Sequence, residues 1–175
     1  ADAWRVRMGF HLLSIRGDNP EDRVALKALL ADGEQHVDAL KAQAAPGEKD
    51  TATQLNASCE ALSSRALDNP LASLGYADYG AMSEINTTTL AVDTLAREAD
   101  VAGDATYLDI AQLSVAMQRL ASEYAALAAF PSAGLKTGTG LQSMDFGAEA
   151  RGIDELLASL KGKYAGDQQA SDVLA

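Results

Sequence analysis

The side chains best placed to do chemistry are few: two histidines, one cysteine and a small set of arginines. His11 and His36 lack the partners of an HExxH motif or of the Glu-x-x-His pairs of di-iron bundles. Asp32 lies four residues before His36, so the two share a helix face, but one pair does not make a metal site. Both histidines are expected at ordinary surface or boundary positions. Cys59 has no neighbouring histidine and falls on a predicted helix, which suits a small core residue better than a nucleophile. Gly134, Gly138 and Gly140 surround Lys136 in a glycine-rich run. Its order is wrong for a phosphate loop, which needs Gly-Lys-Ser/Thr entering a helix, so a plain loop is predicted. Carboxylates abound, and none is singled out for acid–base work. No catalytic constellation emerges, and the sequence predicts no enzyme, no metal site and no cofactor.

The arginines are the one arrangement with binding potential. Arg5, Arg7 and Arg16 accompany Trp4, Met8 and Ile15 on the first predicted helix, and Arg119 lies on a long helix far along the chain. A guanidinium fork binds carboxylates in bidentate fashion, and helix interfaces in bundles are common ligand sites. Tyr124, with Tyr76, Tyr79 and Tyr107, would supply walls for such a pocket. The competing expectation is that these arginines pair with nearby Asp and Glu on a solvated face.

The elements that must position them are helices. Alanine and leucine dominate the apolar 47% of the 175 residues, and aromatics make up 5%. Such a composition favours an all-α fold. A net charge of −11 argues against nucleic-acid binding and against docking on anionic lipid. A single cysteine allows no internal disulfide, and no stretch has the ~20 apolar residues of a membrane span.

The strongest periodicity runs from Asp104 to Phe130. Ile110, Leu113, Met117, Leu120, Tyr124 and Leu127 keep one stripe, with Gln112, Gln118, Arg119 and Glu123 elsewhere. A seam of this kind calls for a long partner helix, and the rest of the chain is expected to be organised around it. Earlier helices are predicted over Ala3–Arg16, Pro20–Ala44 and Lys49–Leu67, with turn chemistry at Gly17–Pro20 and Ala45–Gly47. Pro70 kinks or breaks the pattern, which resumes to Ala99. Val101–Asp104 reads as a tight connection, Ser132–Gly140 as a loop and Leu141–Tyr164 as the last helix, with a frayed polar tail from Gly166. The whole predicts an up-down bundle of four to five helices, a single domain over 1–175. Two stacked modules, 1–100 and 101–175, are the other arrangement. A similarity between Ala31–Leu40 and Ala148–Leu156 fits a repeat as well as chance.

The run Tyr107-Leu-Asp-Ile-Ala-Gln-Leu-Ser-Val-Ala-Met-Gln-Arg-Leu-Ala121, followed by Asp145-Phe-Gly-Ala-Glu-Ala-Arg-Gly-Ile-Asp-Glu-Leu-Leu-Ala-Ser-Leu-Lys-Gly162, resembles extracytoplasmic helical sensor domains of bacterial receptors. It is most similar to the type IV pilus methyl-accepting chemotaxis transducer family and to nitrate-sensor-type input domains. The resemblance implies a periplasmic sensory domain of a chemoreceptor or sensor kinase. It would bind a small anion or a pilin-like protein partner, form a homodimer and relay helix shifts across the membrane. Arg5, Arg7, Arg16, Arg119 and Tyr124 are the candidate ligand-binding residues. A start at Ala1 instead of Met fits an excised or processed chain, with membrane helices expected in the parent. A soluble helical adaptor or assembly subunit without a small-molecule pocket is the other class that the sequence allows.

Overall fold

The first helix is apolar on nearly every side: Trp4, Val6, Phe10 and Leu13 are buried with Ala3, Arg7 and His11. A helix buried on nearly every side must be surrounded by others, and this requirement sets the architecture. The computed structural model describes residues 1–68, 74, 79–102, 107–129 and 144–175. Among them are seven helices and no strand: α1 (Asp2–Ile15), α2 (Pro20–Gln43), α3 (Lys49–Leu67), α4 (Tyr79–Ala102), α5 (Leu108–Ala129), α6 (Phe146–Lys163) and α7 (Gln168–Val173). The fold is all-α, as composition and periodicity predicted.

Local signals explain where the helices start and stop. Gly17 adopts φ +68°, and the amide of Asp18 reaches back to the Leu13 carbonyl at 2.8 Å, which closes α1 in a Schellman turn. Asn19 caps α2 by accepting from the Glu21 amide at 2.8 Å, and Pro20 occupies the first helical position. Asp145 caps α6 and Asp167 caps α7 in the same manner, at 2.9 and 3.0 Å.

α1 packs against α2, α3, α4 and α5. Asp2 meets His36 and Gly9 meets Leu26, so α2 runs against α1. Trp4 meets Asp93 and Arg7 meets Asn86, so α4 also runs against it. Trp4 meets Arg119 and Arg7 meets Ser122, which sets α5 parallel to α1. The main core joins α1 to α4 through residues such as Phe10, Leu13, Leu26, Leu55, Leu62 and Ile85. At a rise of 1.5 Å per residue, roughly 15 Å of α5 extends beyond the start of α1. There a second core forms, Leu113 with Leu160 and Leu174, as α6 runs back along α5.

Three expectations are corrected. The centre of the chain is α1, not the seam of α5: Leu113 is buried, but Met117 and Tyr124 are 48% and 67% exposed. α5 turns its small and polar side, Ser122, Ala125 and Ala126, towards α1, because small residues permit close approach and Arg7 requires polar partners. The tail beyond Gly166 is not frayed. Asp167 caps a last helical turn, and Ala170 and Leu174 are buried at 2% and 5% exposure. Helix α4 continues through Val101 to Ala102, where the tight connection was expected to begin. The Pro70 region, the loop at 132–140 and the start of the last predicted helix at Leu141 lie outside the described residues.

Candidate functional site

Where α1 lies between α4 and α5, a polar cluster occupies the interior. Arg7, 2% exposed, spends its guanidinium on three partners from two helices. Its Nε donates to Asn86 Oδ1 at 2.6 Å on α4, and Nη1 donates to Ser122 Oγ at 2.9 Å on α5. Its Nη2 lies 3.4 Å from Glu123 Oε2, a charge-assisted contact of moderate geometry. Burial pulls the Arg7 pKa down, and the Glu123 carboxylate opposes that pull.

Trp4 lies one turn earlier on the same stripe of α1. Its Nε1 donates to Asp93 Oδ1 at 3.0 Å, and Asp93 Oδ2 accepts from Arg97 Nε at 2.9 Å. The Trp4 ring is flanked by two guanidiniums, with Arg7 and Arg119 Cζ at 5.9 and 5.6 Å from its centroid. Both distances lie within cation–π range, and a buried indole face offsets part of the repulsion between two like charges.

The cluster holds several buried polar atoms without a hydrogen-bond partner among the described residues: both ring nitrogens of His11, Thr89 Oγ1, Arg119 Nε and Glu123 Oε1. His11 is 0% exposed, with its ring edge-on to Phe10 at 5.2 Å. Burial first, and the nearby Arg7 charge second, lower its pKa to about 3. It is therefore neither the surface nor the boundary histidine expected. A charged imidazole in this apolar surrounding would lose its hydration.

The structure brings together two of the five candidate binding residues. Arg7 and Arg119 share the Trp4 ring. Arg5 pairs with Asp2 at 3.7 Å and Arg16 with Asp22 at 3.1 Å, both on the surface, as the competing expectation of local ion pairs had it. Exposed pairs of this kind contribute little. Tyr124 points to the other side of α5, edge-on to Phe146 at 5.9 Å. Among the other tyrosines, Tyr107 donates to Asp167 at 2.7 Å and so ties α7 to the start of α5. Tyr76 and the side chain of Tyr79 lie outside the described residues. His36 meets Asp2 at 2.8 Å, not Asp32. Cys59 is partly buried against the core, and desolvation raises its pKa to about 11, as suits a packing residue.

Sequence reasoning missed Trp4, Asn86, Asp93, Ser122 and Glu123 as partners. One signal was available: Arg7 stands at helical spacing between Trp4 and Phe10, a charge on an apolar stripe. Arg119, Ser122 and Glu123 likewise line one side of α5 opposite its seam. Chemically, the cluster offers directed donors and a slight excess of positive charge beside an aromatic face. It pairs no nucleophile with a base. No protein-family model, curated protein or solved structure matches the chain.

Proposed function

We propose that this chain is an extracytoplasmic sensory domain of a bacterial membrane receptor, built as an up-down bundle on α1–α5 with α6 and α7 appended. It takes a small anion or a protein partner as signal and acts as a homodimer. The observation that carries the reading is the buried charge contact of Arg7 with Asn86, Ser122 and Glu123 across three helices. Buried ion pairs add little net stability, but they fix one seating of packed helices against others. A ligand that drew Arg119 off the Trp4 ring would change the charge beside Arg7. It would thereby bias how α1 sits between α4 and α5, and small helix shifts of this kind are what receptors relay.

A thermal-shift screen against carboxylates, amino acids and nitrate tests this reading. A micromolar binder at millimolar concentration raises the melting temperature by several degrees. We expect one anion class to do so, with the shift lost in Arg119→Ala and kept in Arg16→Ala. If no member of the panel shifts the wild type, or Arg119→Ala responds equally, the anion-sensing reading fails.

The second reading, a helical adaptor, has its own support. Met117 and Tyr124, both exposed, line an apolar groove of about 530 Å³ between α5 and α6 with Leu120, Phe146 and Ile153. Exposed apolar surface of this kind often marks an interface. Ligand-independent self-association that is abolished by Met117→Asp would favour it.

A further inference from the structure

A second cavity, on the other side of α1 from the arginines, has a different chemistry. It encloses about 290 Å³ between α1, α2, α3 and α4. Its walls are apolar: Val6, Leu30, Val37, Leu55, Leu62 and Val92 line it and are all buried. Cavities lined in this way and about half as large, roughly 150 Å³, admit a benzene ring. The charged side chains that line it have a consistent sign, and the ammonium of Ala1 is the one cationic group in the lining. Asp2, Glu34 and Asp93 contribute carboxylates, and neither lysine nor arginine is among the lining residues. His36 at the rim is held by Asp2, and Cys59 is the other titratable side chain in the lining. Arg5 and Arg97 pair with Asp2 and Asp93 from outside the lining. The Glu34 side chain is exposed, forms no hydrogen bond or ion pair among the described residues and is free to meet a cation.

We propose that this cavity binds a compact apolar molecule carrying a cationic amine, its body among the leucines and valines and its ammonium at Glu34. Asp2 and Asp93 are already paired with Arg5 and Arg97, so discrimination against an anion of the same shape rests on the unpaired carboxylate of Glu34. Asp93 belongs both to this cavity and to the hydrogen bond from Trp4, so occupancy would be felt at the contact of α1 with α4. The site shares Asp93 with the arginine cluster but lies on another face of α1, and the proposal does not depend on the anion-sensing reading.

Two lining residues make the idea testable. Cys59 is the only cysteine in the chain, so its alkylation reports on this cavity alone. Gly33 also lines the cavity, and a β-carbon there meets nothing within 4 Å. Gly33→Leu should therefore fold, with a melting temperature no lower than that of the wild type, while occupying ligand space. The probes are 2-phenylethylamine and phenylacetate, a matched cation and anion. At millimolar concentration the amine should slow alkylation of Cys59 by N-ethylmaleimide about tenfold and raise the melting temperature, and phenylacetate should do neither. Protection by the amine should vanish in Gly33→Leu and weaken severalfold in Glu34→Gln. Equal protection by both probes, no protection by either, or protection that survives in Gly33→Leu would overturn the proposal.

Discussion

Arg7 and His11 sit one turn apart on the same helix, and burial treats them oppositely. An arginine keeps its charge under nearly any conditions in a protein, so Arg7 is buried charged and must be surrounded by acceptors, which Asn86, Ser122 and Glu123 supply. Histidine can give up its proton, and His11 is buried neutral instead. The consequence for stability has a definite sign. In the unfolded chain the imidazole protonates near pH 6.5, whereas in the folded protein it stays neutral down to about pH 3. Between those values the unfolded state holds more protons. Stability from this residue is therefore fully present above pH 6.5 and falls as the pH is lowered through the window, by up to about 1.4 kcal/mol per unit. We expect the wild type to lose about 2 kcal/mol more than His11→Leu between pH 7 and pH 5, read from urea unfolding curves at each pH. Equal losses in the two proteins would mean that His11 is accessible to protons in the folded state.

At the level of single helices, glycine separates two situations that look alike in sequence. Gly9 and Gly152 both lie inside predicted helices with no turn signal beside them. A β-carbon at Gly152 would meet nothing within 4 Å, whereas at Gly9 it would come 3.0 Å from Leu26 Cδ1 at the crossing of α1 and α2. Gly152→Ala should gain about 1 kcal/mol, the ordinary propensity difference. Gly9→Ala should gain nothing or lose stability, because Leu26 is 1% exposed and has little room to move. Thermal melts of the two variants decide this, and similar gains would show that α1 and α2 have slack between them. The same contrast explains what was legible beforehand. Local signals such as Asn19-Pro20, Ala45-Pro46-Gly47 and the span Lys49–Leu67 are written in neighbouring residues, and the helices follow them. The roles of helices are not local. α1 has apolar residues all round, so no stripe announced its central position, whereas the clear stripe of α5 suggested a centre that it does not occupy. The turn at α7 depends on Leu174 finding Leu160 and Leu113, a contact that no spacing in a polar tail predicts. The Arg7–Arg119 pair was legible as residue types. Their convergence on Trp4 was not, since it requires α5 to lie parallel to a helix more than a hundred residues earlier.

On the scale of the whole molecule, the described residues form two separate apolar cores bridged by α5. The larger core ties α1 to α4, and α5 joins it through Arg7, Ser122 and Glu123. The smaller core has three buried members, Leu113, Leu160 and Leu174, and among the described residues α6 and α7 hold to the rest through α5. The polar ties there, Lys163 and Tyr164 to Asp109 and Tyr107 to Asp167, lie in or near solvent. Contacts that water can screen add little to the hydrophobic term. The free energy of opening α6 and α7 should therefore be well below that of unfolding the whole chain. Native-state hydrogen exchange would show this as faster exchange of α6 and α7 amides than of α1–α4 amides. Leu174→Ala sharpens the test, because truncating a buried leucine costs roughly 2–5 kcal/mol wherever its core is cooperative. If the cores open independently, this variant should speed exchange in α6 and α7 and leave the most protected amides of α1 and α3 unchanged. If protection in α1 and α3 falls by the same factor, the long shared helix couples the two cores into one cooperative unit. A signal received at either end would then be felt throughout.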